Sequence, residues 1–407
     1  MNMSVARAVI GSAYGDEGKG LMVDFLAASG GVPLVARTNG GSQAGHTVQT
    51  PDGRRHVFHH LASGALAGVP THLTQFFVSH PMFFMREVEA LKGMGANVSV
   101  SVDPRSAVTT PFDVAINQAI ELARGGERHG SCGVGFGETL ERGLEGRLRL
   151  SVGDFEKGER HIRKVLDAIR FDWVPERLTR LGIAAPDYFP DFLRNDRVVE
   201  RFIDDCLAFW NAIALRNDAQ LPDGVLFEGA QGLQLDQDYG AFPHVTRSNT
   251  GLKNMIVVAD EARIDEVEVT YMTRAYATRH GAGPFSHEDA DKSWLSMVDP
   301  TNEPNPWQGS IRTAPLDLDA VAGAIRHDLA LGEGSGVDIS AALGVSCVDQ
   351  VAMTFSVGFE GSVVPADRRG IADLFGSATG LPVDLLSYGP TRKDIVALEG
   401  GVLIGVA

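Results

Sequence analysis

The sequence predicts an α/β protein built on a large, mostly parallel central sheet with helices on both faces. Three observations predict it. Strand-like apolar runs alternate with helical patterns along the 407 residues, the order that produces parallel strands joined by helical crossovers. Hydrophobic residues make up 44% of the chain, enough for a sizeable core. The first strand runs into a glycine-rich loop and then a helix, which places a ligand outside the carboxyl end of a strand.

Strands are expected at 5–10, 33–36, 75–79, 98–102, 225–227, 267–272, 351–355 and 383–387. Helices are expected at 19–28, 85–94, 112–124, 159–169, 198–214 and 316–331. Residues 155–220 read as a helical insertion, and 125–137 and 281–312 as long loops. Loops of that length in a compact domain are usually functional. With no internal repeat and no separating linker, one domain is expected over 1–407.

The net charge of -16 argues against nucleic acid or an anionic membrane as partner. It leaves room for a nucleotide, which needs only a local cationic pocket. Three scattered cysteines fit a reducing cytoplasm without a disulfide framework. The N-terminus lacks a signal-peptide pattern, and no apolar stretch is long enough to span a membrane. A cytoplasmic location is therefore expected.

The loop at 11–20 reads Gly-Ser-Ala-Tyr-Gly-Asp-Glu-Gly-Lys-Gly. Backbone N–H groups at a helix start favour anions, and glycines let a phosphate come close. Gly15, Gly18 and Gly20 supply that backbone, and Lys19 a point charge. The common phosphate loop is not present: Ala13 stands where its first glycine would be, and Gly20 replaces its hydroxyl. An acidic pair, Asp16-Glu17, lies inside instead. A carboxylate beside phosphates is repulsive unless it holds a metal or takes a proton. A second loop, 37–47, sets His46 among glycines. A third, 227–240, carries Gln231, which can offer a donor and an acceptor to a heterocycle edge.

Six segments, GDEGKG (15–20), GGSQAGHT (40–47), FEGAQG (227–232), VTRSNT (245–250), TRHGAGP (278–284) and LPVDLLSYGP (381–390), together resemble the adenylosuccinate synthetase family. They span nearly the whole chain in the family's order. The resemblance implies that family's phosphate-loop-like fold. It also implies a Mg2+-dependent C–N ligase that couples L-aspartate to the 6-oxo carbon of a purine 5′-monophosphate. The triphosphate first phosphorylates the oxygen, and the aspartate amine then displaces phosphate. Such chemistry needs a base at N1, an acid near O6, and cations to offset the transferring charge.

By the same resemblance Asp16 is the base and a magnesium ligand, with the Gly45 carbonyl as another. His46 is the acid and Lys19 contacts the γ-phosphate, with Gly15, Glu17, Gly18 and Gly20 around the phosphates. Gln231 reads the purine, while Gln43, Ser131 or Cys132, and Thr246 surround the monophosphate. Thr278 and Arg312 hold aspartate, and Asp349, Ser387 and Gly389 lie at the triphosphate. The family is typically a homodimer in which an arginine crosses to the partner's monophosphate. Arg142 is the nearest candidate, with Arg147 and Arg149 as rivals.

Departures from the family bear on the substrate. Its arginine-rich loop becomes Gln308-Gly-Ser-Ile-Arg312-Thr-Ala-Pro-Leu-Asp317, which keeps one arginine. A guanidinium left unpaired by a missing 2′-hydroxyl would cost about 1–3 kcal/mol; its absence removes that penalty for a deoxynucleotide. The donor-base motif reads Ser346-Cys347-Val348-Asp349 without the usual lysine, which opens the site to ATP or dATP beside GTP. The segment from His129 to Thr139, with 245–254 and 309–317, resembles the bacteriophage branch of the family. That branch joins aspartate to dGMP to make a 2-aminoadenine precursor for DNA. Many phage enzymes carry serine where this chain has Asp16, so dGMP and IMP both remain open.

Overall fold

The computed structural model describes residues 3–125, 130–299, 309–399 and 402–403. Parts of both expected long loops, 126–129 with His129 and 300–308 with Gln308, lie outside the described residues. The expected α/β architecture is present. Among the described residues one sheet of eleven strands runs, from edge to edge, Val402–Leu403, Ile395–Glu399, Val383–Ser387, Asp338–Ser346, Glu266–Arg274, Val5–Gly11, Leu226–Gly232, Val35–Arg37, Thr71–Leu73, Val100–Val102 and Ala214–Leu215. All pairings are parallel except those made by Ile395–Glu399. The central strands read as nearly unbroken apolar runs because both faces are covered. Ala6, Ala8, Val9 and Ile10 are all fully buried.

Several expected strands shift. Residues 75–77 form a turn, and only Val78–Ser79 is extended, in a small separate sheet with Ala107–Val108. The sheet strand in that region is Thr71–Leu73. The expected strand at 351–355 begins later, as Thr354–Phe359, and lies in a three-stranded side sheet. Asp338–Ser346 was not expected: its Ser340-Ala341-Ala342 stretch and Gly344 lack the branched side chains that mark strands.

Residues 155–220 are largely helical, as expected, with Glu159–Ala168, Val174–Leu181, Phe189–Arg194 and Asp196–Ala212. Their apolar faces share one cluster with Leu73 and Val102 of the sheet and with Phe84 and Ile116 of the adjoining helices. Helix Pro111–Arg124 is capped at Thr110, whose side chain and N–H both engage Asp113. Asp113 also accepts from Arg142 Nε and Nη2 at 2.8 and 2.9 Å. Arg142 donates further to the carbonyls of Leu148 and Val108. It is 1% exposed.

That burial gives Arg142 a structural task. Replacing it with methionine strands a buried carboxylate. The expected loss is about 3–5 kcal/mol, read from the urea midpoint, with the KM for the purine monophosphate unchanged in the folded fraction.

Candidate active site

The site is assembled at the carboxyl ends of three adjacent strands, Val5–Gly11, Leu226–Gly232 and Val35–Arg37. The first loop separates its acidic pair. Glu17 turns inward, and its Oε1 accepts from the N–H groups of Ala13 and Gly15 at 3.0 and 2.7 Å. Lys19 Nζ donates to Glu17 Oε2 at 3.2 Å and to the Gly15 carbonyl at 2.8 Å. Both side chains are buried. The Glu17 carboxylate therefore occupies loop donors of the kind a phosphate would use.

Asp16 faces the other way, into a cavity of about 550 Å³. Its Oδ2 is buried and stands 3.2 Å from Nε2 of His280. Its backbone carbonyl accepts from Arg274 Nε. Burial alone would raise the Asp16 pKa, but the His280 imidazole, the Arg274 guanidinium and the Lys19 ammonium outweigh it and hold the group below the usual carboxylate range.

His46 begins the strand His46–Gln49, beside the helix that follows the first loop. A Cβ on Gly20 would stand 3.0 Å from the His46 Cβ, so glycine permits that approach. His46 Nδ1 lies 2.5 Å from Glu228 Oε1. Glu228 also accepts from Ser63 Oγ at 2.5 Å and from the Ser63 N–H at 3.0 Å. Burial raises the Glu228 pKa, but Arg37, His46 and Ser63 bring it down to about 2. An ionised carboxylate only accepts, so Nδ1 carries the proton and Nε2 is left for another partner. Burial, reinforced by Arg37, lowers the His46 pKa to about 4 against the pull of Glu228. The imidazole is neutral at pH 7.

The cavity collects many of the residues singled out in the sequence: Gly15, Asp16, Gln43, Gly45, His46, Ser131, Cys132, Gln231 and Thr246 all line it. Both polar atoms of the Gln43 amide are buried without a hydrogen-bond partner. Gln231 adopts a left-handed conformation at φ 66°, uncommon for a non-glycine residue and often found at functional sites. Burial raises the Cys132 thiol to about 11, so it is a neutral group. Thr278 and Arg312 lie on paired strands at the border, where Arg279, opposite Arg312, lines the cavity.

A separate group flanks the first loop from the far side. Ser346 Oγ donates to the Glu17 carbonyl at 3.0 Å, and a Cβ on Gly18 would touch Ser346. Arg392 pairs with Asp24 of the following helix at 2.9 Å. Asp349 follows the strand Asp338–Ser346, Ser387 ends the strand Val383–Ser387 and Gly389 follows it; none of the three lines the cavity. Arg142, the nearest candidate for the arginine that crosses to a partner's monophosphate, does not line this cavity either, and its guanidinium is held by Asp113. Arg147 remains exposed, 3.6 Å from Asp172.

The sequence reading missed Glu228, Ser63, Arg37, His280, Arg177 and Arg247. An acid directly after the apolar run Val225-Leu226-Phe227 was a signal for Glu228. Arg177 and Arg247 line the cavity from distant segments and meet at Glu141.

A family model for adenylosuccinate synthetase matches residues 8–323. The chain belongs to this family. It is 29% identical to the adenylosuccinate synthetase of Chromohalobacter salexigens, over 97% of this chain and 98% of that protein. It is 36% identical to that of Anaeromyxobacter sp., over 70% of this chain and 65% of that one. The fold is similar to a fully ligated adenylosuccinate synthetase from Plasmodium falciparum, with TM-score 0.71 and 17% identity over 98% and 100% of the two chains. It is also similar to the cyanophage S-2L succinoaminodeoxyadenylate synthetase bound to dGMP and dATP, with TM-score 0.62 and 18% identity over 97% and 96%. This ligase therefore joins a carbon and a nitrogen, linking aspartate to a purine nucleotide.

Two outcomes follow from the His46–Glu228 pair. Glu228→Gln, which keeps the shape but removes the charge, is expected to lower kcat by about 10–100-fold in steady-state assays, because the partner that orients the imidazole is weakened. Stability is also pH-dependent. The folded pKa of His46, about 4, lies below its ordinary 6.5. The unfolded chain therefore binds the proton first as the pH falls. The contribution is complete above pH 6.5 and is lost toward pH 4, by about 3 kcal/mol. Denaturation midpoints at pH 7 and 5 should show the fall, and His46→Asn should flatten it.

Proposed function

We propose that this ligase uses dGMP and L-aspartate to form N6-succino-2-amino-2′-deoxyadenylate, with ATP or dATP as donor. Asp16 takes the N1 proton while the γ-phosphoryl passes to O6, releasing the nucleoside diphosphate. The aspartate amine then forms the C6–N bond and expels phosphate. His46 presents Nε2 to the oxygen, oriented by Glu228 through Nδ1. A phosphoryl group arriving there favours the imidazolium, opposing the burial that otherwise keeps the ring neutral. Lys19 must leave Glu17 to meet the γ-phosphate. Gln43, Ser131 and Thr246 receive the monophosphate, Gln231 the purine edge, and Thr278 and Arg312 the aspartate.

The residues present fit a magnesium ion. The buried Asp16 Oδ2 has an ion-pair contact but no hydrogen bond, and Gly45 shares its cavity. Among the described residues no group of three His, Cys, Asp or Glu side chains is placed to hold a metal. That suits Mg2+, which takes one or two carboxylates and completes its shell with phosphates and water. When bound, it offsets charge on the transferring phosphoryl.

The observation that carries the deoxyribose reading is Arg312. Its Nη1 pairs with Glu288 at 2.7 Å, and its Nη2 donates to the carbonyls of Gly281 and Gly283 at 2.9 and 3.0 Å. Both Nη groups of the one arginine retained at 309–317 are thus tied to its neighbours, and only Nε, buried without a hydrogen-bond partner, is left for the aspartate carboxylate rather than for a ribose hydroxyl. A second reading, IMP with GTP, is favoured by Asp16 itself, because the serine that many enzymes of the phage branch carry at this position would leave more room for a 2-amino group than an aspartate does. For either purine we infer a homodimer in which the exposed Arg147 reaches the partner's monophosphate.

Steady-state assays with dGMP, GMP and IMP separate the readings. The expected result is a preference for dGMP; turnover of IMP alone replaces this reading with the second. Asp16→Ala is expected to abolish turnover with an unchanged melting curve, and a near-normal rate would remove its assignment as base.

A further inference from the structure

A second cavity, of about 660 Å³, opens behind the segment that carries Ser131 and Cys132. Its walls are mostly apolar: Met82, Phe83, Val114, Phe192, Val198 and Phe202. The polar groups are few and differently placed. His80 lines the cavity and is only 3% exposed, and its Nδ1 is buried with no hydrogen-bond partner. Burial lowers its pKa to about 3, so the ring is neutral. Arg197 and Arg201 line the cavity from one helix, four residues apart, and both are exposed. Asp205, also in the lining, is 3.5 Å from Arg201, which offsets its charge.

We propose that this cavity binds a planar heteroaromatic anion. Phe83 and Phe192 flank its ring, a ring nitrogen meets His80, and the acidic group pairs with Arg197 and Arg201. A buried imidazole nitrogen without a partner costs free energy unless a ligand supplies the hydrogen bond. Aromatic faces accept planar rings, and guanidinia accept phosphate or carboxylate.

The site is joined to the catalytic cavity. Cys132 and Val134 line both. Gln118, in the second cavity, donates to the Gly133 carbonyl at 3.1 Å. Its neighbour Asn117 donates to Ser131 Oγ at 2.9 Å and accepts from the Gly135 N–H at 3.1 Å. An occupant pressing on this helix therefore acts on the segment that faces the monophosphate.

The test titrates indole-3-carboxylate and AMP separately into the full chain by calorimetry. The two arms distinguish a carboxylate from a phosphate source. Three variants accompany the wild type: Arg197→Glu with Arg201→Glu, Arg197→Ala alone, and Gln231→Ala in the catalytic cavity. At least one probe is expected to bind, with affinity at least tenfold weaker in the double arginine variant, weaker in Arg197→Ala and unchanged in Gln231→Ala. That probe should also shift the KM for the purine monophosphate, and the shift should vanish in the double variant. Failure of both probes to bind overturns the proposal. So does binding that survives the arginine changes, or that is lost with Gln231→Ala.

Discussion

Everything at the site depends on the strand Val5–Gly11 lying between Leu226–Gly232 and Glu266–Arg274, parallel to both. Three parallel neighbours release their loops at one edge, and main-chain contacts then lock those loops together. The Ser12 N–H donates to the Met272 carbonyl at 2.9 Å, and the Gln234 N–H to the Ala13 carbonyl at 2.9 Å. Asn39 ties in the neighbouring loop by bonding both the N–H and the carbonyl of Ala230. A Cβ on Gly232 would fall 2.3 Å from the Ala13 oxygen, so the third loop passes the first only because glycine stands there. Positions fixed by backbone are held more firmly than side chains alone could hold them.

Onto this frame the chain loads buried charge. Glu17 is satisfied by two loop N–H groups and Lys19, and Glu228 by Ser63 and His46. Isolated ions of this kind are costly inside a protein, and each persists because nearly every lone pair has a donor. The same donors set the chemistry. Those around Glu228 keep it ionised, which fixes the tautomer of His46. Those around Glu17 free Asp16 to face the cavity alone. The geometry of the cavity and its local stability thus rest on the same contacts.

The legible parts of the site were those written in short contiguous segments. The glycine loop and His46 follow strand ends, Gln231 lies in the last residues of its own strand, and strand ends converge in a parallel sheet. The errors have physical causes. The apolar run at 75–79 reads as a strand, but Thr74 and Phe77 close a turn and only its last two residues pair. Arg142 reads as the nearest candidate for an arginine that crosses to a partner, and only the fold shows that Asp113, 29 residues earlier, holds its guanidinium. His280 lies inside the segment 278–284, yet nothing local marked it as a neighbour of Asp16, because that proximity exists only once residues 264 positions apart in sequence meet.

By itself the sequence determined the α/β class and the three glycine-bearing loops, because these follow from local periodicity, glycine placement and residue type, and six ordered motifs tied it to the family whose chemistry the resemblance implies. Only the tertiary structure decided how the acidic pair of the first loop divides, which nitrogen of His46 faces Glu228, and which arginines are spent on structure. Those outcomes depend on charge neutralisation between distant segments, and no local pattern records which buried carboxylate a given cation will meet.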